Sequence, residues 1–192
     1  MRAGGLDAMI PPRMTPQTPP PGDRSPLTSA DIARHNERWI KDQFQGMRPL
    51  RPARHMAVVA CMDSRMPVYQ LLGLDYGDAH IIRNAGGVVT DDVIRSLVLS
   101  QRAMGTRSIV LLHHTDCGLT KISEDQLRQD LESATGLAPK FTFEAFRDPY
   151  ASVRQSIRRL HLSPFLPCKD EILGYVYDVE CGKLVQVRLD EQ

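Results

Sequence analysis

The sequence predicts an α/β fold: a mainly parallel central sheet of about four strands, with helices on both faces and an antiparallel C-terminal edge hairpin. Three observations predict it. Residues 56–60, 79–83 and 108–112 are apolar runs of strand length, the kind that a parallel sheet buries on both faces. Stretches that read as helices, 67–72 and 93–104, separate them. That order of strand, short helix, strand, helix, strand calls for right-handed crossovers between parallel strands. Near the C-terminus, 172–178 and 184–189 alternate around Glu180, Cys181, Gly182 and Lys183, the pattern of a hairpin.

The chain divides at about residue 27. Residues 1–27 are rich in proline, with Pro11, Pro12 and Pro19–Pro21, and lack apolar periodicity, so a disordered tail is expected there. Met9 and Met14 are both candidate starts. Residues 28–192 read as a single domain. Thr28 and Ser29 supply a cap for a first helix, in which Ile32, Trp39 and Ile40, with Phe44 further on, recur at helical spacing. Its apolar stripe either packs on its own domain or lies as an arm over a second subunit. Pro67 opens the short helix after the first strand, and Gly73 closes it. Asn84 to Gly87 follows the second strand, with two glycines that permit a tight path past a neighbour. Thr90, Asp91 and Asp92 cap the helix of 93–104, which ends at Gly105. After the third strand come an exposed helix over 123–135 stopped by Gly136, an aromatic cluster of Phe141, Phe143 and Phe146 that reads as core or interface, and a helix over 149–160.

Composition narrows the function. A hydrophobic content of 42%, a charged content of 24% and 192 residues suit one folded domain with its own core. Lys and Arg number 24 against 23 Asp and Glu, for a formal charge of +1, which gives no reason to expect nucleic acid or an anionic membrane. The densest basic group, Arg154, Arg158 and Arg159, reads as a solvated helix face. No stretch approaches the roughly 18 apolar residues of a membrane helix, and the N-terminus has no apolar core of signal-peptide type, so a cytoplasmic protein is expected. The four cysteines, Cys61, Cys117, Cys168 and Cys181, are too few and too unevenly placed for a disulfide scaffold. No Cys-x-x-Cys pair is present to suggest thiol redox chemistry.

The chemistry gathers at two strand ends. The strand of 56–60 runs into Cys61, Asp63 and Arg65, and the strand of 108–112 runs into His114 and Cys117. Parallel strands align their carboxyl ends along one sheet edge, where α/β proteins bind ligands. Two thiolates and an imidazole suit zinc, which takes such donors tetrahedrally and leaves a fourth position for water at a catalytic site. His114 and Cys117 lie close in sequence while Cys61 is far upstream, which fits a site built by two strands rather than a local finger. Asp63 is the candidate fourth ligand. Singly, each residue has an ordinary explanation: a buried cysteine packs as a small hydrophobe, a strand-end histidine bonds within the core, and Asp63 with Arg65 forms an ion pair that holds a loop.

Together, Cys61-Met-Asp-Ser-Arg65 and His114-Thr-Asp-Cys117 resemble the C-x-D-x-R and H-x-x-C motifs of the β-class carbonic anhydrases. Residues 82–88 and 90–96 also look like that family, and the likeness runs from about Thr28 to the end. The form His113-His-Thr-Asp-Cys-Gly118 is similar to a compact branch that includes carbonyl sulfide and carbon disulfide hydrolases. The resemblance implies one zinc per subunit on Cys61, His114 and Cys117. It implies Zn-hydroxide attack on carbon dioxide to give bicarbonate, Asp63 accepting a hydrogen bond from the hydroxide, and Arg65 keeping Asp63 off the metal. In a closed state Asp63 becomes the fourth ligand. Gly86, Gly87 and Val88 would line the substrate pocket, and the assembly would be a homodimer or a dimer of dimers.

Two positions depart from patterns within that family. Pro52 stands where plant-like members carry glutamine, and Val58 where members with an inhibitory bicarbonate site carry tryptophan. His80 and His113 are open either to a proton-shuttle or to a structural reading. Hydrolysis of carbonyl sulfide or carbon disulfide by the same nucleophile is the main alternative, and a non-catalytic zinc module is the third reading.

Overall fold

A computed structural model describes residues 25–189. Of the expected tail only residues 25–27 are described, exposed and outside any helix or strand, and the choice between Met9 and Met14 lies outside the described residues. The chain divides into two units, one ending at Met47 and the other beginning at Arg48. The first holds α1 (Ser29–Asp42), which begins in a capping box: the Thr28 hydroxyl accepts from the Asp31 amide, and the Asp31 carboxylate accepts from the Thr28 amide. No residue of α1 is buried, and Ile32, Trp39 and Ile40 are exposed along it.

The second unit holds five strands, β1 (Met56–Cys61), β2 (Ala79–Asn84), β3 (Ser108–His114), β4 (Glu171–Tyr177) and β5 (Leu184–Val187). They form one sheet in the order β2-β1-β3-β4-β5. The first four are parallel, and β5 runs antiparallel to β4 at the edge. Between and after them lie α2 (Val68–Leu72), α3 (Asp91–Arg102), α4 (Glu124–Thr135) and α5 (Pro149–Leu162). The expected α/β sheet with its antiparallel edge is therefore present.

Alternation along the strands sorts the core into two layers. Ala57, Val59, Ile109, Leu111 and Val176 pack with Val93 and Leu97 of α3 and with Val153, Ile157 and Leu160 of α5. Val58, Ala60, Val110 and Leu112 face the other way, toward Met66, Val68 of α2 and Leu74. Burial on both sides explains why these strands read as unbroken apolar runs.

The helix ends follow local chemistry. Thr90 accepts from the Val93 amide at the start of α3, with Asp91 and Asp92 in its positive first turn. Asp148 accepts from the amides of Tyr150 and Ala151 at the start of α5, where Pro149 occupies the first position. Among the aromatics, Phe146 joins the second core layer while Phe141 is exposed and meets Phe143 edge-on.

One boundary differs in a way that bears on the site. The third strand does not stop at Leu112, where the apolar run ends, but continues through His113 and His114. The ladder with β4 extends that far, pairing His113 with Val176 and His114 with Tyr177, and both histidines are fully buried.

Gly174 in β4 is where α5 presses closest to the sheet. A Cβ there would collide with Val153 Cγ1 and come within 2.9 Å of Ile157 Cδ1. Gly174→Ala is accordingly expected to lower the unfolding free energy by about 1–3 kcal/mol through overpacking, measured as an earlier midpoint in urea.

Candidate metal centre

Cys61 closes β1, next to the buried β3. Three hydrogen bonds then fix the loop that leaves it. The Met62 amide donates to the Asn84 carbonyl at 2.8 Å, and Arg83 donates through Nε to the Cys61 carbonyl at 2.9 Å and through Nη2 to the Asp63 carbonyl at 2.6 Å. The path is tight because Gly87 passes beside it with φ +69; a Cβ there would lie 2.8 Å from the Cys61 nitrogen and 3.1 Å from the Leu112 carbonyl oxygen. Only glycine accepts both that backbone angle and that approach.

The second loop turns sharply after β3. Asp116 sits at φ +53, in the left-handed region that aspartate tolerates better than most residues. Cys117 then precedes a 3-10 turn, Gly118–Lys121, and its carbonyl accepts from the Thr120 hydroxyl at 2.7 Å. The result is a cluster in which one ligand atom each from Cys61, His114 and Cys117 lies within 4.8 Å of the others, all three residues buried.

This cluster fits a metal ion. Zinc–thiolate and zinc–imidazole bonds in tetrahedral array place donor atoms about 3.5–3.8 Å apart, inside that limit. His114 Nδ1 lies 2.7 Å from the Thr115 carbonyl, so it carries the proton and leaves Nε2 with a free lone pair. That Nε2 is buried and has no hydrogen-bond partner, an arrangement that costs free energy unless a ligand completes it.

The electrostatics point the same way. Cys117 donates to Cys61, and this bond outweighs burial in lowering the Cys61 thiol to about 4 while it raises Cys117. Burial opposes charge on His114, yet the Cys61 thiolate and the Thr115 carbonyl together raise it. The trio therefore favours negative sulfur beside imidazole, the donor set that a soft or borderline cation takes up.

Asp63 borders the cluster, its Oδ2 lying 3.7 Å from His114 Nε2. Its carboxylate is held by Arg65, which donates through Nε to Oδ1 at 3.0 Å and through Nη2 to Oδ2 at 2.8 Å, while the Arg65 amide reaches Oδ1 at 2.9 Å. These bonds lower Asp63 to about 2, and the same pairing raises Arg65.

Gly86 and Gly87 are both buried, Gly87 beside the Cys61 backbone. A Cβ on Gly86 would lie 2.5 Å from Leu119 Cδ1 and 3.0 Å from Phe146 Cε1, so Gly86 and Val88 adjoin an apolar wall. His113 lies 5.6 Å ring to ring from Phe146 and donates through Nε2 to the Gly87 carbonyl at 3.0 Å; burial lowers it to about 4 and keeps it neutral. His80 pairs with Ser100, which bonds Thr106, four positions before the sheet edge that carries Cys61. Sequence patterning did not single out Arg83 or Asp116. The only available signal was their place, one beside the Asn84–Gly87 turn and the other between two ligands.

Comparisons with known proteins agree with this geometry. A family model described as carbonic anhydrase matches residues 56–184. The chain is 49% identical over 144 residues to "Beta-carbonic anhydrase 1" of Mycobacterium tuberculosis, covering 75% of this chain and 88% of that protein. It is 35% identical over 169 residues to "Carbon disulfide hydrolase" of Acidithiobacillus thiooxidans, covering 78% and 83% respectively. The solved carbonic anhydrase of Streptococcus mutans superposes with a TM-score of 0.78 at 40% identity, over 85% of this chain and all of that one. By the matched residues, the fold and the shared length, the chain belongs to the β-carbonic anhydrase family of enzymes.

Proposed function

We propose that this enzyme uses one zinc ion per subunit to interconvert carbon dioxide and bicarbonate. The observation that carries the reading is the meeting of three buried donors, Cys61, His114 and Cys117, with the Asp63–Arg65 pair at their edge. Cys61, His114 and Cys117 would hold the ion. When bound, it acidifies a water and so supplies a nucleophile near neutral pH. Asp63, whose Oδ2 lies beside His114, would accept a hydrogen bond from a water at the site and orient it. Arg65, bound to both carboxylate oxygens, keeps Asp63 in that role; an Asp63 released from Arg65 would join the ligand set and close the site. Gly86, Gly87 and Val88 form the side against which an apolar, linear substrate rests.

Carbonyl sulfide or carbon disulfide hydrolysis is the second reading, favoured by the 35% identity to a carbon disulfide hydrolase. The functional unit in both readings is residues 28–192, in the cytoplasm, as a homodimer or dimer of dimers, without nucleic acid or membrane as partner. The exposed apolar residues of α1 support self-association. The near-neutral charge, and the lack among the described residues of any helix long and apolar enough to cross a membrane, are consistent with the rest.

Metal analysis with stopped-flow rates on carbon dioxide, carbonyl sulfide and carbon disulfide tests the reading. About one zinc per chain is expected, with carbon dioxide the fastest substrate. A zinc-loaded protein inert toward all three would instead be a metal-supported binding module.

A further inference from the structure

The Arg65 guanidinium is held from two sides. One edge faces Asp63, as described; the other faces the second loop, where Nη1 donates to Asp116 Oδ2 at 2.8 Å and Nη2 donates to the Asp116 carbonyl at 3.0 Å. Asp116 in turn has a second cation on its other oxygen, Lys121 Nζ at 2.5 Å from Oδ1. Arg65 thus joins the loop after Cys61 to the turn between His114, at the end of β3, and Cys117, and Asp116 lies in that turn between the two donors. A planar guanidinium fixes direction as well as charge, so anchoring its far edge decides how its near edge meets Asp63.

We propose that Asp116 is a positioning residue: it orients the Arg65 fork toward Asp63 and so couples the two donor-bearing loops. The inference rests on the reading of Asp63 and Arg65 as the catalytic pair. Arg65 and Asp116 have side chains 46% and 42% exposed, and an isolated ion pair so placed usually contributes little. What distinguishes this one is the second bond to the Asp116 carbonyl and the left-handed backbone that presents it.

The test is a double-mutant cycle on the full-length, zinc-loaded chain, with kcat/KM for carbon dioxide hydration measured for wild type, Asp116→Ala, Arg65→Ala and the double variant. Asp116→Ala is expected to lower kcat/KM about fivefold, the rate equivalent of one exposed ion pair, with zinc content unchanged. It should cost nothing further once Arg65 is gone. Asp116→Asn, which keeps an acceptor oxygen and tolerates the backbone angle, should fall between Asp116→Ala and wild type. In metal-free protein, guanidinium rotation at Arg65, read by nitrogen-15 NMR, should be faster in Asp116→Ala than in wild type. Wild-type rates for Asp116→Ala, an equal loss with and without Arg65, or unchanged rotation overturns the proposal. If Arg65→Ala itself retains full turnover, the catalytic-pair reading fails first; a slow Arg65→Ala beside a normal Asp116→Ala sinks only the role of Asp116.

Discussion

Replacing His114 with alanine is expected to leave the protein folded but unable to retain zinc, with affinity lower by on the order of a hundredfold or more and carbon dioxide hydration lower by about a thousandfold or more. The geometry makes this residue the least replaceable of the three donors. Its Nδ1 proton is committed to the Thr115 carbonyl, so the buried Nε2, which has no hydrogen-bond partner, is the ring atom left to meet a metal. Water has no access to a side chain that is fully buried. Alanine there also leaves a cavity, so a loss of activity alone is ambiguous. Cys117→Ser removes a donor without removing volume, because a hydroxyl is a poor zinc ligand, and it should reproduce the loss of metal with the thermal transition little changed. Metal content measured against protein concentration, beside circular dichroism of both variants, decides the matter. Near-stoichiometric zinc in either variant would show that the cluster is not the metal site.

The fold was largely legible because its signals are local or periodic. Residues 56–60 and 108–112 announce buried parallel strands by unbroken apolar runs, and the donors follow them directly, so the meeting of Cys61, His114 and Cys117 at one sheet edge followed from topology. The extension of β3 through His113 and His114 was not legible, since polar side chains end an apolar pattern while the backbone ladder with β4 continues regardless. Contacts between side chains and distant backbone carry no periodicity at all. Arg83 reaching the Cys61 and Asp63 carbonyls, and Arg65 reaching Asp116, appear only once strands and turns are in register. The two glycines after Asn84 announced a close approach, and the register with β1 then identified the neighbour as the backbone at Cys61. For α1 the spacing of Ile32, Trp39 and Ile40 predicted an amphipathic helix, but spacing says nothing of what such a face meets.

Arg65→Ala is expected to lower turnover by about a hundredfold, at the lower end of what losing a positioned acid–base group costs, while zinc content stays at the wild-type level. Two thiolates and a neutral imidazole would cancel the charge of a bound divalent ion, which would then have little positive charge to spare for acidifying water. An anionic Asp63 beside it makes matters worse unless a cation compensates. Arg65 compensates, and its bonds to both carboxylate oxygens also fix their direction. Without the guanidinium, Asp63 has its negative charge uncompensated, its Oδ2 only 3.7 Å from His114 Nε2 and therefore within reach of the donor set. The loss should then come from Asp63 competing for the fourth position. Asp63→Asn in the Arg65→Ala background separates this from a lost substrate contact: an amide is a weaker ligand than a carboxylate, so the double variant should be no slower than Arg65→Ala and should bind a small anion such as azide more readily. Arg65→Lys restores the charge but not the fork, and partial recovery is expected. Stopped-flow hydration and azide titration of the cobalt-substituted proteins measure both effects, and an Arg65→Ala enzyme with wild-type turnover would remove the pair from the mechanism.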